Sequence, residues 1–147
     1  MKIISKEEIK NAIPFRGEFC LIDKVLEYEE GKKVVASKYL SGKEWFLKGH
    51  FPGYPVMPGH LIAEAIVQTC ALFFKRQYHS GKKMAYFLAS SKVRFLGQVR
   101  PKDTMIITAR PLKLVSFAGI FEGEACVNSK IVAKGQFSVA AKEVRKD

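Results

Sequence analysis

The chain has 147 residues, 48% of them hydrophobic, and carries 25 Lys and Arg against 14 Asp and Glu, a formal net charge of +11. That length suits one domain with a real core, residues 1–147, and is too short for a comfortable second. The longest apolar run contains Glu64 and Gln68, which argues against a membrane-spanning helix, and the basic residues do not interleave with stacking aromatics in a nucleic-acid-binding motif.

In chain order, Ser5-Lys6-Glu7-Glu8 reads as a capping box opening a short helix to about Ala12. With two acids and no apolar run behind them, this N-terminus does not read as a signal peptide. Phe19 to Tyr28 is strand-like, Glu30-Gly31-Lys32 a turn, and Lys33 to Leu40 a returning strand. The uninterrupted apolar run Leu61 to Phe74 is too long for one buried strand and is predicted to be a helix buried on most faces. Pro58 suits its first turn. His79-Ser80-Gly81-Lys82-Lys83 reads as a polar loop with His79 solvated. Strand-like runs follow at Met84 to Ala89, Lys92 to Val99, Thr104 to Val115, Phe117 to Val127 and Lys130 to Ala140, with Asn128-Ser129 as a hairpin turn. One long buried helix among about six antiparallel strands is an α+β architecture. Phe73, Phe74, Tyr86 and Phe87 are read as core, with a site-lining role as the alternative.

The stretch between the second strand and the helix carries the chemistry. In Gly49-His50-Phe51-Pro52-Gly53-Tyr54-Pro55-Val56-Met57-Pro58-Gly59, each X-Pro pair biases the preceding residue to extended geometry, and the glycines permit sharp turns. Such a loop has little freedom and can hold His50 in one place. Glu64 follows fourteen residues later, and Gln68 lies four further on, hence on the same helix face. A carboxylate among Leu, Ile and Val is costly unless paired or neutralised, so burial should raise its pKa and suit it to proton donation. The alternative is a structural tie to Gln68 or an arginine. The N–H groups around Gly59 and His60 could receive an oxyanion or carbonyl, as helix N-termini do. His60 should be neutral beside the helix dipole and engaged in packing or a hydrogen bond, with substrate contact as the alternative.

The segment from Gly49 to Gln68 closely resembles the signature of the β-hydroxyacyl-acyl carrier protein dehydratases of the FabZ type, which share the hot-dog fold. Val93-Arg94-Phe95 with Val99, Pro101 and Asp103 resembles that family's later strand and turn, and Leu21-Ile22-Asp23-Lys24-Val25 its first strand. The resemblance implies a single hot-dog domain and dehydration of a (3R)-hydroxyacyl thioester, bound to acyl carrier protein, to its trans-2-enoyl product without a cofactor. In it His50 would be the base, Glu64 the acid and the Gly59 N–H the donor to the thioester carbonyl; Phe51, His60 and Gln68, in the same segment, are this chain's further substrate-binding candidates. It also implies a homodimer with active sites shared between subunits, and further assembly into a trimer of dimers as relatives often show. Glutamate rather than aspartate at position 64 favours the type that dehydrates without isomerising.

Acyl carrier proteins are strongly acidic, so Lys92, Arg94, Arg100 and Lys102, with Lys75 and Arg76, are candidates for docking; a merely solvated basic surface is the alternative. The chain departs from the family pattern at Phe15, Gly17-Glu18, His60, Gly97-Gln98 and Lys102. These changes leave open whether it serves bulk fatty-acid synthesis or a specialised, polyketide-like acyl pathway. Cys20, Cys70 and Cys126 form no CxxC pair and no metal-ligand spacing, and their odd number suits free thiols in a reducing cytosol. A hot-dog thioesterase and a non-catalytic acyl-binding module are the competing functions.

Overall fold

A computed structural model of the protein describes residues 8–9 and 19–144. Strands β1 (Lys24–Glu29) and β2 (Lys33–Tyr39) form a hairpin, followed by a 3-10 turn at Trp45–Leu47 and helix α1 (Gly59–Tyr78). Strands β3 (Met84–Phe95), β4 (Thr104–Val115), β5 (Ala118–Val127) and β6 (Lys130–Glu143) complete one antiparallel sheet in the order β1-β2-β4-β5-β6-β3. The sheet wraps α1, which packs against β2 through β6. This is the predicted α+β hot-dog arrangement of one helix and six strands.

Periodicity explains which faces are covered. In β5, Gly119, Phe121, Gly123, Ala125 and Val127 are buried toward α1, while Glu122 and its alternate neighbours point away. Ile62, Ile66, Phe73 and Phe74 of α1 meet Ile107, Phe121 and Phe137 in a core that excludes water from all seven side chains almost completely. Phe73 and Phe74 therefore belong to the core, with Tyr86 beside them, whereas Phe87 is exposed. Gly123 leaves room for Ile66, and Gly135 lets β6 approach the Lys92 carbonyl of β3.

Several predicted boundaries shift. The first strand starts at Lys24 because the residues before it do other work: Leu21 N–H donates to Gln68 Oε1 of α1. The runs Met84 to Ala89 and Lys92 to Val99 are one strand, since a bulge between Leu88 and Ser90 takes up Ala89 and lets Ser90 and Ser91 pair with Ser138 and Phe137. That strand leaves the sheet after Phe95. Pro58 caps α1 rather than opening it. Asn128 and Ser129 do form the β5–β6 turn, both with positive φ (49° and 66°), as a two-residue hairpin requires.

His79 is corrected outright. It is buried, not solvated: its ring stacks on Phe74 at 5.4 Å, Nε2 donates to the Ser116 carbonyl at 2.6 Å and Nδ1 accepts from Tyr86 Oη at 3.1 Å. It ties the C-terminus of α1 to β3 and to the β4–β5 turn. Of the predicted N-terminal helix, Glu8 and Ile9 are helical and Ile9 is in the core; the remainder, and Phe15 to Glu18, lie outside the described residues.

Candidate active site

The loop before α1 is held from within. Phe51-Pro52-Gly53-Tyr54 is a tight turn in which Tyr54 N–H donates to the Phe51 carbonyl at 2.9 Å and Phe51 N–H to the Tyr54 carbonyl at 3.0 Å. Proline second and glycine third, with φ of +76° at Gly53, is the signature of a type II turn. Val56 N–H donates to the His50 carbonyl at 2.8 Å, and Met57 N–H to the Val99 carbonyl at 2.8 Å, so the loop is also fastened to the segment after β3.

These bonds fix the His50 ring. Its Nδ1 lies 2.9 Å from the Val56 carbonyl oxygen, and Phe51 stacks on it with ring centres 4.2 Å apart. A carbonyl only accepts, so Nδ1 carries the hydrogen and Nε2 keeps its lone pair. The result is an oriented ring.

Glu64 lies in the second turn of α1, partly buried. Removal from water pushes its carboxyl above the usual carboxylate range, and a hydrogen bond from Gln68 Nε2 to Oε2 at 3.1 Å pulls the other way. The Gln68 amide is fully buried and committed: Oε1 accepts from Leu21 N–H at 2.9 Å, and Nε2 also donates to the Phe19 carbonyl at 2.8 Å. Both hydrogens of that amide are thus used within the chain, one of them on Glu64.

At the start of α1, the Pro58 carbonyl takes the N–H groups of Leu61 and Ile62 at 3.0 and 3.1 Å, while the Gly59 and His60 N–H groups have no intrahelical acceptor. They are donors available to a carbonyl. The His60 side chain is exposed, and Phe51 is 52% exposed beside His50. Among the described residues, no hydrogen bond or ion pair joins His50 to Glu64 within the chain.

The six basic candidates do not form one rim. Arg100 sits beside the His50 loop, its guanidinium 4.0 Å from the centre of the Tyr54 ring, and Lys102 is exposed in the same turn with φ of 76°. Gln98, one of the atypical residues, accepts from Tyr54 Oη at 2.9 Å and steadies the loop tip. Lys92 and Arg94 instead line a groove of about 700 Å³ on the sheet face away from α1, with Arg110, Lys134, Glu122 and Glu124. Lys75 and Arg76 are at the far end of α1, about 24 Å from Gly59 by helix rise. Neither His50 nor Glu64 lines that groove. Cys70 is wholly buried and its thiol is pushed up by desolvation, and Cys20 is buried too, as small hydrophobes would be.

Sequence reasoning missed two contributors. The Val56 carbonyl has no signature, because any residue supplies one. Phe95, the last residue of β3, lies against Gly59; its aromatic character is visible in the sequence, but the contact is set by the fold.

Known proteins agree with this picture. The FabA-like domain model matches residues 13–136. A relative from Staphylococcus aureus, named 3-hydroxyacyl-[acyl-carrier-protein] dehydratase FabZ, is 40% identical over 143 residues, covering 97% of this chain and 98% of the relative. Among solved structures, the ApeI:P dehydratase heterocomplex from Xenorhabdus doucetiae matches with a TM-score of 0.77 at 17% identity, over 94% of this chain and 91% of that one. A mutant thioesterase from Pseudomonas aeruginosa matches with a TM-score of 0.70 at 11% identity, over 94% of each chain. At such identities the structural likenesses speak for the fold alone, which both activities share. The sequence relationship goes further: the chain belongs to the FabA-like family, among the 3-hydroxyacyl-[acyl-carrier-protein] dehydratases of the FabZ type.

Proposed function

We propose that the protein removes water from (3R)-hydroxyacyl thioesters carried on acyl carrier protein, giving the trans-2-enoyl thioester. The observation that carries this reading is the His50 ring, whose Nδ1 is committed to the Val56 carbonyl and whose Nε2 is therefore a base. Nε2 takes the α-proton, and charge develops on the thioester oxygen, where the Gly59 N–H stabilises it. The Glu64 carboxyl gives its proton to the β-hydroxyl, the C–O bond breaks, water leaves and the α–β double bond forms. Imidazolium and carboxylate remain, and a proton moved from the first to the second resets the site. Desolvation of Glu64 favours the protonated form that this step requires. Phe51, stacked on His50, and His60, next to Gly59, are the further residues proposed to meet the acyl-thioester arm.

The reading includes a homodimer in which each His50 faces Glu64 of the partner subunit. It is supported by the lack of any bond between the two within one chain and by β3, a twelve-residue edge strand with Phe87, Leu88 and Phe95 exposed. An edge that long and apolar invites pairing with a second copy. Arg100 and Lys102, beside the loop, are the proposed contacts for the acidic carrier; Lys92 and Arg94 would lie near the paired strands. Among the described residues no helix is long and apolar enough to cross a membrane. The free thiols of Cys20, Cys70 and Cys126 suit a reducing cytosol.

The test is incubation with a (3R)-hydroxyacyl carrier thioester while enoyl product and free thiol are followed separately. Enoyl product without thiol release is expected. Free thiol without enoyl product would make the protein a thioesterase, and binding with neither product would make it an acyl-binding module.

A further inference from the structure

Gly59 begins α1 with a helical backbone, so no left-handed φ requires glycine there. What requires it is space. A Cβ at position 59 would lie 3.2 Å from Cε1, 3.3 Å from Cδ1 and 3.4 Å from Cζ of Phe95, so one edge of the ring rests where a side chain would begin. The backbone carrying that ring is fixed: Phe95 pairs with Ala133 of β6, and the next two N–H groups, of Leu96 and Gly97, both donate to the Val132 carbonyl at 2.8 and 3.2 Å. The ring itself is 47% exposed, so it is not held there by enclosure in the core.

We propose that Phe95 is a positioning residue for the Gly59 donor, an inference that rests on the dehydration reading. Its ring forms a wall beside the first turn of α1. The wall keeps water from one side of the Gly59 N–H and limits the directions from which a thioester carbonyl can approach it. A hydrogen bond made there works in a lower dielectric, where it polarises the carbonyl more strongly than it would in water. Glycine at 59 and phenylalanine at 95 then form one device, and a larger residue at 59 acts by displacing the ring.

The experiment is a double-mutant cycle on the full-length protein, using the carrier-free probe (3R)-hydroxybutyryl N-acetylcysteamine thioester so that carrier docking does not enter. Phe95→Ala should lower kcat about tenfold with KM within about twofold of wild type, while Phe95→Leu keeps most of kcat. The carbonyl stretch of bound butyryl N-acetylcysteamine thioester should move toward its solution value in Phe95→Ala. Gly59→Ala should lower kcat, and the Gly59→Ala, Phe95→Leu double variant should exceed the product of the single effects by at least about threefold. Wild-type kcat with an unshifted band in Phe95→Ala, or strictly additive effects in the cycle, would overturn the proposal. If Phe95→Ala does not fold, Phe95→Leu and the cycle decide. A wild-type protein that makes no enoyl product overturns the dehydration reading itself; normal wild-type turnover beside a fully active Phe95→Ala overturns only the role of Phe95.

Discussion

In the proposed mechanism His50 takes a proton at Nε2, which requires its own hydrogen on Nδ1, and the Val56 carbonyl at 2.9 Å holds it there. The role proposed for Glu64 needs the opposite condition, a proton it can give, and burial pushes its carboxyl in that direction. The sign of that effect is testable. A carboxyl raised in the fold binds its proton more tightly than in the unfolded chain, so its contribution to stability is present in acid and is lost as pH rises through the folded value. Glu64→Gln should therefore be more resistant to urea than wild type at about pH 7.5, with the gap closing toward about pH 4.5. The same variant should lose at least about a hundredfold in kcat, since it has no acid to give. Gln68→Leu removes the amide that donates to Glu64 and to the Phe19 carbonyl, and leaves the buried Leu21 N–H without its acceptor. It should cost about 2–3 kcal/mol in urea unfolding and also lower kcat.

His50, Glu64 and Gly59 stood out as candidates because the chemistry proposed for them depends on side-chain type, or on its absence, at fixed spacing. Gln68 was found as a candidate, but its partners Leu21 and Phe19 were not legible, because sequence shows which residues share a helix face and not which backbone groups arrive opposite them. The acceptor that fixes the His50 tautomer is a main-chain carbonyl, to which residue identity is blind.

Among the elements, α1 and the β2, β4, β5 and β6 strands were readable from period and from turn residues, with ends off by a few positions. β3 was not, because the polar pair Ser90-Ser91 looks like a break and is in fact accommodated by a bulge on an edge strand. His79 failed for a related reason: its neighbours Ser80 to Lys83 are polar and exposed, yet its ring is drawn inward by Phe74, Tyr86 and the Ser116 carbonyl from distant parts of the chain. The closeness of β3 and β6 depends on Gly135, where a Cβ would strike the Lys92 carbonyl. Gly135→Ala should destabilise the protein by about 1–3 kcal/mol, seen as a lower urea midpoint with unchanged slope.

For the molecule as a whole, the charge of +11 is spread over several faces rather than gathered at one. Arg100 and Lys102 stand beside the active loop, whereas Lys75 and Arg76 stand at the opposite end of the helix. The double reversal Arg100→Glu with Lys102→Glu should raise KM for a carrier-bound substrate about tenfold or more and leave a carrier-free thioester nearly unaffected. A larger effect on the free thioester would place these residues in the chemistry rather than in docking.

The central claim is that base and acid come from different copies of the chain, and complementation reads it directly. His50→Ala and Glu64→Gln proteins, each inactive alone, are mixed in equal amounts, unfolded in urea and refolded together, and enoyl product is measured. Random pairing puts half the chains in mixed dimers with one intact site, so activity should return to about a quarter of the wild-type level. A mixture as inactive as its parents, in which mixed dimers have been demonstrated, would contradict the account.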